Sequence, residues 1–196
     1  MDRRELLRMI AMLTGGAVIG SEFFLSGCTA GGKAEIGFTA ANISLLDEVG
    51  ETILPATSSP GAKDAKVGEF MKMYVADCYN KENQDVFIKG IGELGEACKK
   101  MHSKNFMDCT PEQRRDLLIS LEKEAKEHNK NPSEKVKPEY EFIPTPTHYY
   151  TMIKQLTLLG FFTSEVGATK ALRHVAVPQK YDGALPYKKG DKAWAD

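Results

Sequence analysis

The chain has 196 residues, and its 26 basic and 27 acidic side chains leave a formal net charge of −1. That balance argues against a nucleic-acid binder, which needs a basic stripe to neutralise phosphates. An apolar fraction of 42% supports one core and falls short of a multi-span membrane protein, and four cysteines are too few for a disulfide scaffold of this length.

The first 27 residues read as a signal peptide. Arg3, Arg4 and Arg8 form a basic start, and an apolar stretch follows from Met9 to Ile19. A spanning helix needs about 20 apolar residues, so the run is too short to anchor the chain by itself. Asp2-Arg3-Arg4-Glu5-Leu6-Leu7-Arg8 resembles the twin-arginine export signal, a route that carries folded cargo. Leu25-Ser26-Gly27-Cys28 resembles the lipobox of bacterial lipoproteins, in which the cysteine thiol takes up a diacylglyceryl group. The alternative is a buried cysteine in an N-terminal helix. Lipidation of Cys28 would leave residues 28–38 as a small, polar tether and place the protein on a membrane surface outside the cytoplasm.

The body reads as helices. Thr39 is a cap for a first helix with Ile43, Leu46, Val49 and Ile53 on one stripe, and Pro55 ends it. Ser58-Ser59-Pro60-Gly61 is a turn cluster. Val67, Phe70, Met71, Tyr74, Val75 and Cys78 mark the stripe of a second helix. A third spans roughly residues 83–101, with Phe87, Ile91, Leu94, Cys98 and Met101 facing inward. Gly90, Gly92 and Gly95 each weaken that helix by about 1 kcal/mol relative to alanine, or else permit a close helix crossing. Thr110-Pro111-Glu112-Gln113 combines a threonine cap, a proline at the first helical position and a glutamine three residues after the cap. It starts a fourth helix with Leu117, Leu118, Leu121 and Ala125 inward. The proline-bearing stretch His128–Pro146 predicts a long surface connection. Thr147 then caps an apolar helix over His148–Phe162, and Ser164–Leu172 is compatible with a short helical segment. The reading is all-α: an irregular bundle of four to six helices over 39–172, with an extended C-terminal arm over 173–196.

Catalytic and metal-binding patterns are missing from the sequence. His102, His128, His148 and His174 have no partner at metal-ligand spacing, and there is no C-x-x-C-H, dinucleotide fingerprint or nucleophile elbow. His148, beside Tyr149 and Tyr150, reads as a surface or partner-facing residue rather than an acid–base catalyst. Asp47 and Glu48, neighbours on a helix, read as solvated charges. With Cys28 set apart, Cys78, Cys98 and Cys109 form an odd set. At least one is then a free thiol or bonded to another chain. Cys78 and Cys98 lie on apolar stripes, where the reading as small core residues stands beside that of a bridge.

The ends of the body carry a family resemblance. Gly160-Phe161-Phe162-Thr163-Ser164-Glu165-Val166-Gly167-Ala168, Val177-Pro178, Tyr181-Asp182-Gly183 and Lys192-Ala193-Trp194 form one set of words. Leu45-Leu46-Asp47-Glu48-Val49, Ile53-Leu54-Pro55-Ala56-Thr57 and Ser59-Pro60-Gly61-Ala62 form the other. The chain so read resembles the gluconate 2-dehydrogenase subunit 3 family. Gln179 departs from the pattern, since a Pro-Gly pair is common after the valine, and the middle of the chain matches weakly.

The resemblance implies a non-catalytic small subunit with no cofactor of its own. Its expected partner is a large catalytic subunit of the glucose–methanol–choline type, which carries FAD and lacks an export signal. A multihaem cytochrome c often accepts the electrons. The small subunit supplies the export signal and helps the large one mature or stay stable. The expected location is therefore the periplasmic face of a membrane, held by the lipid on Cys28. After Leu172 the chain is rich in turn residues yet carries Tyr181, Tyr187 and Trp194. Together with Phe161 and Phe162 these are the candidate partner-facing residues. The arm could instead fold back on its own bundle. A stand-alone helical envelope lipoprotein that binds a ligand or a protein is the competing reading.

Overall fold

In the computed structural model, residues 37–130, 147–177, 183–186 and 188–195 are described. The signal peptide and nearly all of the tether lie outside them, with Arg3, Arg4 and Cys28, as do residues 131–146 of the expected connection. The described part contains five α-helices, a 3-10 turn and a π-helical turn, and no strand, which is the all-α architecture expected.

Helix α1 (Ala40–Ile53) starts at Thr39, whose Oγ1 accepts from the Asn42 N–H at 3.2 Å. It buries Leu46, Val49 and Gly50 and stops before Pro55. Phe38, placed in the tether by composition, packs its ring 6.0 Å from that of Phe87, so the folded body begins at least one residue earlier. Helix α2 (Val67–Cys78) buries Val67, Gly68, Met71 and Val75. Cys78 is exposed rather than in the core: it is the last residue of α2, where the chain turns toward Asn80.

Helix α3 (Lys81–His102) begins two residues before its apolar stripe suggests, because Asn80 supplies the cap and accepts from the Asn83 N–H at 2.9 Å. Gln84 on its first turn donates to the carbonyls of Val75, Ala76 and Tyr79, satisfying the open end of α2. Phe87, Ile91, Leu94 and Cys98 are buried, whereas Met101 is 45% exposed near the end of the helix. A 3-10 turn, Phe106–Asp108, leads to helix α4 (Pro111–Lys130). The reciprocal cap is formed: Thr110 Oγ1 accepts from the Gln113 N–H, and Gln113 Oε1 accepts from the Thr110 N–H. Helix α4 runs past His128 to Lys130, since no proline interrupts it before Pro132.

Helix α5 (Tyr149–Phe162) is the axle of the fold. It contacts each of α1, α2, α3 and α4. Tyr149, Tyr150, Met152, Ile153, Leu156, Thr157, Gly160 and Phe161 are buried, covering most of its circumference, as expected of a helix with apolar residues on nearly all sides. Its one fully buried polar side chain, Thr157, donates to the Ile153 carbonyl at 2.8 Å. The π-helical turn Gly167–Ala171 follows, and the described residues beyond Leu172 are non-helical. None of the helices among the described residues is long and apolar enough to cross a membrane.

Candidate functional site

The densest polar constellation is built by α1. It carries Asp47, Glu48 and Glu51, all half-buried, and each carboxylate binds a different set of groups. Lys66, ahead of α2, has a left-handed backbone (φ 52°) and offers no side-chain cap. Asp47 substitutes for one from another helix, its Oδ1 accepting from the Gly68 N–H at 2.7 Å. Glu51 holds the intervening loop, accepting from the Ala56 N–H at 2.7 Å and the Lys63 N–H at 2.9 Å. Glu48 pairs with Lys63 Nζ at 2.7 Å and with the Arg114 guanidinium of α4.

Arg114 commits every nitrogen it has. Nε donates to the Phe106 carbonyl at 3.1 Å, one terminal nitrogen to the Met107 carbonyl at 2.9 Å, and the other to Glu48. The guanidinium also lies over the Phe106 ring, 5.4 Å from its centroid. Side-chain exposure of 15% for Arg114 and 16% for Glu48 makes this a largely desolvated pair, whereas Lys63 is 58% exposed. Beside the pair opens a cleft of about 400 Å³, lined from the α1 side by Glu48, Glu51, Thr52 and Pro55 and from α4 by Pro111, Glu112, Arg114 and Arg115.

The electrostatics separate the two adjacent carboxylates. The hydrogen bond from Lys63, with Arg114 behind it, holds Glu48 below the ordinary carboxylate range. Burial raises Asp47 despite the Gly68 N–H it accepts. Neither residue is the solvated charge that their adjacency suggests. They point in different directions, and both tie α1 to distant segments. The groups facing the cleft from Glu48, Glu51 and Arg114 are thus spent on holding three elements together.

A second cluster sits at the start of α5. His148, expected at the surface, is 9% exposed and is itself the cap of α5, in place of Thr147: its Nδ1 accepts from the Tyr150 N–H at 3.2 Å. The ring stacks on Tyr149 at 4.5 Å and meets His128 edge-on at 5.4 Å. Burial lowers its pKa, which keeps Nδ1 free to accept, and burial pushes the Tyr150 phenol up to about 12. His102 Nε2 is buried without a hydrogen-bond partner among the described residues. Among those residues no group of three or more His, Cys, Asp or Glu is arranged to hold a metal ion.

The candidate partner-facing residues fall into three groups. Phe161 is 4% exposed and belongs to the core, so it offers no surface to another protein. Phe162 is 40% exposed, with Leu158 and Leu159 also partly open on the same helix. Trp194 is 46% exposed, while Tyr181 and Tyr187 lie outside the described residues. The arm returns to its own root. Arg173 N–H donates to the Ala193 carbonyl at 2.8 Å, and Ala195 N–H donates to the Arg173 carbonyl at 2.9 Å. The Arg173 guanidinium stacks on the Trp194 ring at 4.1 Å. Val175, Val177 and Leu185 remain exposed along this closed loop.

Glu48, Arg114 and Cys109 carry interactions that sequence spacing alone does not reveal. The one available signal for Glu48 is its place in the opening word Leu45–Val49, since Arg114 lies 66 residues downstream. A family model described as gluconate 2-dehydrogenase subunit 3 matches residues 40–178, from the first residue of α1 to beyond the π-helical turn. No curated protein and no solved structure matches the chain.

Proposed function

The chain belongs to the gluconate 2-dehydrogenase subunit 3 family, and from that membership we propose that it is the non-catalytic partner of a flavin-dependent dehydrogenase. It is a subunit 3-like accessory protein. In this reading the large catalytic subunit is of the glucose–methanol–choline type and carries FAD, and a cytochrome c takes the electrons. This chain contributes export through Arg3 and Arg4, a lipid anchor at Cys28 and stabilisation of its partner at the periplasmic face of a membrane.

The observation that carries the proposal is the extent of the family match, which takes in all five helices of the described residues. Two features support it. Three of the charged residues around the α1–α4 cleft, Glu48, Glu51 and Arg114, are engaged in internal contacts, which suits a scaffold. The exposed apolar residues Phe162, Val177, Leu185 and Trp194 supply the kind of surface that another protein covers.

Replacing both Arg3 and Arg4 by lysine tests it. The variant is expected to leave this chain and its flavoprotein together in the cytoplasm, read by fractionation and immunoblotting of both. Normal delivery of the flavoprotein would overturn the escort role. In the same strain background, Cys28→Ala is expected to abolish labelling by a fatty-acid probe, and persistent labelling would refute the anchor.

A further inference from the structure

We propose that Cys98 and Cys109 are the sites of an intramolecular disulfide, formed after the body has folded with both thiols reduced. The two Sγ atoms lie 3.4 Å apart although the residues are eleven apart in sequence. Cys98 comes from the penultimate turn of α3, and Cys109 follows the 3-10 turn. They are 0% and 6% exposed, and Cys78, exposed at the end of α2, is not part of the pair. A sulfur–sulfur bond of about 2 Å requires a further local approach of the two side chains.

The connection around Cys109 explains how a buried pair can be reached. Ser103, Lys104, Asn105, Met107, Asp108 and Thr110 are exposed, and only Phe106 and Cys109 are buried between them. In the proposal a local opening of this short segment, which breaks the Arg114 bonds to the Phe106 and Met107 carbonyls, exposes Cys109 without unwinding α3 or α4. Cys98 stays inside the core, where burial pushes its thiol up to about 11, making it the poorer first nucleophile.

The co-reactant is an exchangeable disulfide, that of a protein in cells or of oxidised glutathione in a redox buffer. The Cys109 thiolate attacks one sulfur of that disulfide and releases the other as a thiolate. When the segment closes, the Cys98 thiolate attacks Cys109 Sγ in the mixed disulfide. This forms the internal bond and expels the second donor thiolate. The two protons lost from Cys98 and Cys109 end on the two donor sulfurs, so the donor is reduced to two thiols and this chain has given up two electrons.

The bond would secure more than its own loop. Cys109 N–H donates to the Phe106 carbonyl, the same oxygen that takes Arg114 Nε. Cross-linking α3 to this turn therefore fixes the support of the Arg114–Glu48 pair.

The test uses the full chain, both purified in a glutathione redox buffer and recovered from cells. Each sample is denatured in excess maleimide without reductant, digested and mapped by mass. The buffer arm is expected to yield Cys98 and Cys109 peptides joined and two hydrogens lighter, with Cys78 labelled. The oxidised chain should melt about 5–10 °C above the reduced one. Cys98→Ser removes the resolving thiol, so Cys109 is expected either labelled or as its mixed disulfide with glutathione, and joined to no other cysteine of the chain. Label on both Cys98 and Cys109 in the oxidising buffer, or a link from either to Cys78 or to a second chain, would overturn the pairing. The pairing does not rest on export. A chain linked in the buffer yet reduced in cells would uphold it and count against the periplasmic location.

Discussion

Glu48 shows how one side chain can organise a fold without doing chemistry. It joins α1 to the loop before α2 through Lys63 and to α4 through Arg114. The Arg114 contact carries most of the energy, because Lys63 is exposed and screened by water. Glu48→Gln leaves the guanidinium largely buried without its counter-charge and is expected to lower unfolding stability by about 2 kcal/mol at neutral pH. The folded pKa of Glu48 is depressed below the unfolded value near 4.5. Its contribution is therefore complete above that pH and disappears as pH falls through the folded value. Urea titrations at neutral and acid pH should show the gap between wild type and Glu48→Gln closing on acidification; a constant gap would exclude the charge as its cause. Asp47 has the opposite sign, since burial raises its pKa and ionisation costs stability at neutral pH. Asp47→Asn retains an oxygen for the Gly68 N–H and should stay within about 0.5 kcal/mol of wild type in the same titrations.

Among the elements, the α3–α5 crossing separates glycines that the sequence cannot tell apart. A Cβ at Gly90 would lie 2.2 Å from both Cβ and Cγ of Tyr149, whereas Gly92 and Gly95 have nothing within 4 Å. Gly90 is thus the point where the two helices touch, and the other two only weaken α3. Gly90→Ala is expected to cost about 2–3 kcal/mol by forcing the helices apart, although alanine favours the helix. Gly92→Ala should gain about 0.5–1 kcal/mol. Thermal melts that ranked the two alike would disprove the crossing. The same contrast shows what the sequence could reveal. Local chemistry was legible: Thr39, Pro55 and the Thr110–Gln113 box set helix ends through neighbours within a few residues. The stripes Val67–Met71–Val75 and Leu117–Leu121 named the inner faces for the same reason. What needed the third dimension was hidden. Glu48 and Arg114 meet across 66 residues, Cys98 finds Cys109 only through the 3-10 turn, and His148 is drawn inward by Tyr149 and His128. Cys78 and Met101 fit their stripes but sit at helix ends, where the core no longer covers them.

For the whole molecule, the order of the helices along the chain matters. The axle α5 is the last of the five described helices, so α1–α4 have no completed core until residues 149–162 dock. A folded body therefore requires the complete chain through α5, which suits the proposed export after folding. The loop that follows α5 is held by Arg173 and Trp194 at its root and presents exposed apolar residues between them. Deleting residues 181–196 opens that loop while leaving the helices in place, and is expected to reduce recovery of the large subunit without unfolding the body. Unchanged recovery would move the interface elsewhere. The most direct measurement is affinity purification of the tagged, full-length chain from solubilised membranes, followed by an absorbance spectrum and mass analysis of what is retained. A flavin spectrum with a large flavoprotein in the eluate is the expected result. The chain eluting alone and colourless, in cells whose dehydrogenase activity survives its deletion, would contradict the role proposed for it.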